Sequence, residues 1–123
     1  MTRATVTPIA VVALISASFV VLAPRTTHSA QEQVIRVTAR KFEYSPNEIT
    51  VKKGVPVILE ITSLDRDHGF KLRDFGVRAD IKPGATTRVR IVPNKTGRFP
   101  FQCDVFCGSG HEDMSGELVV VDS

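Results

Sequence analysis

The chain is 123 residues long, with 42% hydrophobic and 24% charged residues. That length allows one domain of the usual ~100–150 residues, and that balance argues against a disordered or low-complexity chain. The formal charge of +3 falls to +1 over residues 31–123, which hold 14 Lys and Arg against 13 Asp and Glu. No basic stripe with interleaved aromatics is present, so nothing points to a nucleic-acid partner.

The N-terminus reads Met1-Thr2-Arg3, followed by an apolar run from Ile9 to Ala23 bracketed by Pro8 and Pro24. Fifteen residues suit the core of a signal peptide, about 7–15, better than a membrane span of roughly 20. Ser29 and Ala30 are small enough for cleavage, although Thr27 and His28 are not the preferred residues before such a site. Residues 1–30 are therefore expected to be a signal peptide or a single apolar membrane anchor. Both place residues 31–123 outside the cytoplasm, in the periplasm or on the outer face of the cytoplasmic membrane.

Period-two alternation and β-branched residues dominate from residue 33 onward. Strands are expected at Val34–Ala39, Glu48–Lys52, Pro56–Thr62, His68–Leu72, Val77–Ile81, Ala85–Val92, Arg98–Gln102 and Glu117–Val121. Turn chemistry separates them at Ser45-Pro46-Asn47, Lys53-Gly54, Lys82-Pro83-Gly84 and Asn94-Lys95-Thr96-Gly97. No amphipathic helix is expected after the N-terminal run. Seven or eight short strands with turns every 8–12 residues indicate an all-β antiparallel sandwich or barrel.

The chemistry is concentrated between the last two strands. Cys103-Asp104-Val105-Phe106-Cys107-Gly108-Ser109-Gly110-His111-Glu112-Asp113-Met114 holds both cysteines, one of three histidines and the only Met besides the initiator. Thiolate, imidazole and thioether together select soft or borderline metals, copper above all. Gly108 and Gly110 allow tight folding, and His68 opens a strand upstream where a second loop of a sandwich can reach the same end. Other readings remain open at this point. Two cysteines in an exported protein commonly form a disulfide, but a ring with three intervening residues gains little entropy and gives His111 and Met114 no task. A structural zinc site would use both cysteines and both histidines, yet not Met114.

Cys103-x-x-x-Cys107-x-x-x-His111-x-x-Met114, with His68 upstream, resembles the copper A domain of subunit II of haem-copper oxidases, and nitrous oxide reductase carries a similar domain. Ser63-Leu64-Asp65-Arg66-Asp67-His68-Gly69-Phe70, Gly76–Gly84, Phe42-x-x-x-Pro46-Asn47 and Gly97-x-Phe99-x-Phe101-x-Cys103 extend the likeness over residues 35–121. The resemblance implies a cupredoxin-like Greek-key β-sandwich and two copper ions per chain. It implies that Cys103 and Cys107 bridge both ions, that His68 and His111 each cap one, that Met114 is a weak ligand, and that the Val105 backbone carbonyl completes the other side. The implied task is electron transfer, from cytochrome c or a similar donor to subunit I of a haem-copper oxidase, with no catalysis by the chain alone.

Some residues depart from that pattern. Val105 stands where many oxidases carry a metal-binding Glu, so that extra site is expected to be absent. The chain has no Trp, leaving Phe42, Tyr44 or Phe106 as substitutes for the aromatics through which electrons enter, with core or rim packing as their plainer role. Asp65 and Asp67 can order the His68 loop or simply be solvated. A second functional class is periplasmic copper handling, delivering the metal during oxidase assembly. A one-copper blue carrier would need only one of the two cysteines.

Overall fold

The computed structural model describes residues 2–24 and 31–122. Residues 2–24 form no helix or strand and are exposed throughout, so the helix that an apolar membrane anchor would form is not seen in them. Among the described residues no helix is long and apolar enough to cross a membrane. The candidate cleavage point at Ser29-Ala30 lies outside the described residues.

From residue 33 the chain is almost entirely β. Its strands are β1 (Gln33–Arg40), β2 (Glu43–Ser45), β3 (Glu48–Lys52), β4 (Val57–Ser63), β5 (His68–Leu72), β6 (Val77–Ile81), β7 (Thr86–Ile91), β8 (Gly97–Gln102) and β9 (Ser115–Val121). Single 3₁₀ turns occupy Arg73–Phe75 and His111–Asp113. A four-stranded sheet in the order β2-β1-β4-β7 faces a five-stranded sheet in the order β3-β9-β8-β5-β6. Alternation decides which side chains face inward: Ile49 and Val51 of β3, Val89 and Ile91 of β7, and Leu118 and Val120 of β9 are buried while their neighbours point out or lie at the rim. Strand β4 is buried along most of its length, with Val57, Leu59 and Ile61 facing the core.

The sheets differ from expectation in direction. They are mixed rather than antiparallel, because β1 pairs with β4 in parallel, and β3 with β9 in parallel. The physical reason is that the chain changes sheets between β2 and β3 and again between β3 and β4. Strand β4 therefore returns beside β1 pointing the same way. The three-residue strand β2, paired with β1 from Thr38↔Ser45 to Arg40↔Glu43, was also not expected, being too short to show a period.

One end of the sandwich is built around aromatics. Tyr44, Phe70 and Phe101 are fully buried, with ring centroids 5.1 Å apart for Tyr44–Phe101 and 5.0 Å for Phe70–Phe101. Phe101 lies against Gly116, where a β-carbon would collide with its ring. This cluster forms the floor beneath the cysteine loop.

Candidate metal centre

The loop from Cys103 to Met114 joins β8 to β9, and its ends are tied by the Cys103 N–H donating to the Met114 carbonyl at 3.0 Å. Inside it, the His111 N–H donates to Gly108 O at 3.2 Å and the Asp113 N–H to Gly110 O at 3.1 Å. These bonds wind the 3₁₀ turn that carries His111. Gly110 starts the turn at φ 98°, and its α-carbon lies on the Phe42 ring, so a β-carbon would come within 3.1 Å of it. Both the backbone conformation and the close approach require glycine there.

That winding brings the loop's soft donors together. Cys103 Sγ lies 4.0 Å from Cys107 Sγ and 3.2 Å from the Val105 carbonyl oxygen. Cys107 Sγ lies 3.8 Å from His111 Nδ1 and 4.0 Å from Met114 Sδ. Both cysteines are free and buried. His68 arrives from β5: its ring and the two sulfurs offer ligand atoms within 4.8 Å of one another. The structure thus gathers His68, Cys103, Val105, Cys107, His111 and Met114 at one end of the sandwich.

His68 is 1% exposed. Its Nε2 lies 2.6 Å from Asp65 Oδ1, whereas its Nδ1 is buried with no hydrogen-bond partner. A buried ring nitrogen without a partner costs free energy unless something binds it, and a metal ion is the partner this donor set suits. Asp65 is fixed in turn. Burial opposes its ionisation, but the Lys41 N–H at 2.7 Å, the His68 ring and the Arg66 N–H at 2.7 Å hold its carboxyl down to about 2. A carboxylate there favours the tautomer with the proton on Nε2 and the lone pair on Nδ1. Asp65 therefore orders the His68 loop, while Asp67 is exposed and faces Lys82 at 3.5 Å.

The three candidate aromatics separate sharply. Tyr44 is a core residue whose hydroxyl donates to the Gly69 carbonyl at 2.6 Å, so it offers no surface to a partner. Phe42 is partly buried under the glycine loop. Phe106 is 70% exposed, with its ring centroid 5.9 Å from that of His111.

In the metal-free domain, burial and then the neighbouring Cys103 sulfur push the Cys107 thiol from about 9 up to about 11. An unfolded chain releases that proton sooner, so this contribution to stability is present below pH 9 and lost as pH rises towards 11. Burial, with Cys103, Asp104 and Cys107 nearby, also raises the Tyr44 phenol, which acts in the same direction at higher pH. The urea midpoint of the metal-free chain should fall between pH 9 and 11, and fall less in Cys107→Ser. Equal falls in the two proteins would remove the thiol as a cause.

The chain belongs to the cupredoxin-like domain family, which matches residues 10–120. It is similar to cytochrome c oxidase subunit 2 of Thermus thermophilus, with 34% identity over 89 residues, 72% of this chain and 66% of that protein. It is 31% identical over 90 residues to nitrous-oxide reductase of Stutzerimonas stutzeri, covering 70% of this chain but 14% of the enzyme. The crystal structure of the periplasmic domain of subunit II of cytochrome oxidase from Bradyrhizobium japonicum superposes with a TM-score of 0.69 at 25% identity, over 74% of this chain and 85% of that one. The matched stretch thus spans less than two thirds of these full-length relatives. Fold, kinship and the clustered thiols and imidazole together support a copper-binding domain of the oxidase-associated kind.

Proposed function

We propose that the domain is a one-electron carrier built on a binuclear copper A centre, taking electrons from a cytochrome and passing them to a haem-copper oxidase. The observation that carries this reading is the pair of buried, unbonded thiols at 4.0 Å, flanked by His111 Nδ1 and by the partnerless Nδ1 of His68. When bound, a copper pair would supply one-electron chemistry, and with the electron spread over two ions bond lengths would change little between oxidation states.

The chain's own residues supply the rest. Cys103 and Cys107 would hold the copper as thiolates, releasing their thiol protons on loading, which makes loading stronger as pH rises. His68 and His111 would each offer Nδ1. Met114 and the Val105 carbonyl would be weak donors. Strands β5, β8 and β9 hold these groups on a rigid sheet end, which keeps reorganisation small. Phe106, exposed beside His111, lies where a donor would make contact. Residues 1–30 serve as the export signal or anchor that puts the domain outside the cytoplasm.

Retention of copper favours this reading over delivery. Cys103, Cys107, Met114 and His68 are all buried, and release would require ligands from two separate segments to let go together. Copper-loaded protein should hold two ions per chain, be purple, and share its unpaired electron equally between two nuclei. It should also give fast reversible one-electron voltammetry with little copper lost to a chelator in either state. His68→Ala should lose one copper. One copper with an intense blue band would sink the binuclear centre, and rapid copper loss on reduction would make delivery the better reading.

A further inference from the structure

Strand β6 lies at the edge of the five-stranded sheet, and its outward residues include Arg78 and Asp80. The register places Asp80 opposite Gly69 of β5, and Arg78 opposite Lys71. Gly69 has no side chain, and the space over it on β5 is taken by the Asp104 side chain, which follows β8. Arg78 meets that carboxylate from the β6 side. Its Nε lies 2.8 Å from Asp104 Oδ2 and its Nη2 3.2 Å from Asp104 Oδ1, while Nη1 lies 2.7 Å from Asp80 Oδ1.

The Asp104 carboxylate rests so closely on Gly69 that a β-carbon there would overlap it. Asp104 sits in the chain between Cys103 and Val105, both of them candidate ligands. The Gly69 N–H donates to Cys103 Sγ at 3.3 Å, so the arm held down by Asp104 is also the arm that receives this bond.

We propose that Arg78 is a positioning residue for the metal centre: through its two-pronged pair with Asp104 it presses the Cys103–Val105 arm onto Gly69 and sets the Gly69 N–H to sulfur bond. A guanidinium fork fixes both oxygens of a carboxylate at once, which a lysine ammonium does not. The pair has a second consequence. A carboxylate one residue from a bridging sulfur favours the oxidised, more positive state of the centre, and Arg78 balances that charge. A hydrogen bond donated to the sulfur acts in the same direction as Arg78, because it stabilises the more electron-rich reduced state. Loss of Arg78 removes both effects, so the reduction potential falls. The fold itself is spared, since a partly exposed ion pair contributes little to global stability.

This inference rests on the copper reading only in its electrochemical part. The test takes the full chain as Arg78→Met and Arg78→Lys. Hydrogen exchange is followed amide by amide in metal-free protein, and reduction potentials are measured after loading with copper. In Arg78→Met the Gly69 amide should exchange about tenfold faster while amides of the β1–β4 ladder stay as protected as before. Arg78→Lys, which keeps the charge without the fork, should fall between. The potential should decrease from the unmodified chain to Arg78→Lys to Arg78→Met. Unchanged Gly69 exchange in Arg78→Met overturns the proposal, as does faster exchange spread evenly over both sheets, or an unchanged potential in loaded protein. Failure of the unmodified chain to take up copper would refute the proposed function, while the Gly69 amide would still decide whether Arg78 positions the arm.

Discussion

Replacing Cys107 by Ser should abolish the two-copper centre, taking copper from two ions per chain to one at most and removing the purple colour and the shared electron-spin signal. Cys107 is the hub of the site: its sulfur is within 4.0 Å of the Cys103 sulfur and the Met114 sulfur, and 3.8 Å from His111 Nδ1. A serine hydroxyl is a hard, short donor that does not ionise near neutral pH, and one remaining thiolate cannot form a two-sulfur bridge. Met114→Leu should behave differently, keeping both ions and shifting only the potential, because a thioether is a weak ligand. Metal analysis with visible and electron-spin spectra distinguishes the two variants. Two coppers and an unaltered spectrum in Cys107→Ser would leave the bridging scheme without support.

The largest effect on stability is expected from Phe101→Ala. Phe101 is fully buried, meets Tyr44 edge to face and Phe70 at a tilt, and covers Gly116. Truncating such a ring removes its transfer free energy and leaves a cavity, a loss of about 3–5 kcal/mol. A small domain has about 5–15 kcal/mol in total, so the metal-free variant should lie close to its unfolding threshold. Denaturant unfolding of the metal-free chain should show a much lower midpoint with an unchanged slope. Copper should recover part of the loss, since the assembled site binds it more tightly than the unfolded chain does. An unfolding free energy within about 1 kcal/mol of that of the unmodified protein would mean that neighbouring rings close the cavity.

The parts of the molecule that sequence reveals are those written locally. Alternation in Glu48–Lys52 or Glu117–Val121 shows which side chains face the core, and both segments are strands with those bounds or nearly so. The donor spacing from Cys103 to Met114 also survives folding, because Gly108 and Gly110 make the winding a local matter. Strand direction does not: the same alternation serves a parallel or an antiparallel neighbour, so the β1–β4 and β3–β9 pairings could not be read from it. The contacts of Asp104 were hidden for a related reason. Asp104 can lie across β5 to meet Arg78 only where that strand presents a glycine, Gly69, and register between strands is fixed by the whole fold. For Tyr44 the plainer role, core packing, holds: its hydroxyl donates to the Gly69 carbonyl, a contact that the local sequence does not show.

The parallel ladder between β3 and β9, which sets Glu48 beside Glu117, also bears on how the protein assembles. Partners so far apart along the chain meet late, because the entropy of closing the intervening loop is spent before any contact rewards it. The Cys103–Met114 loop is closed by the pairing of β8 with β9, so it cannot take its shape until β9 has docked on β8. Until then Cys103 and Cys107 sit on an open, unfolded chain, where nothing distinguishes them from any other exposed thiols. Oxidation thus competes with folding as well as with metal binding. A cell that must load this site has to keep the thiols reduced for as long as β9 takes to dock.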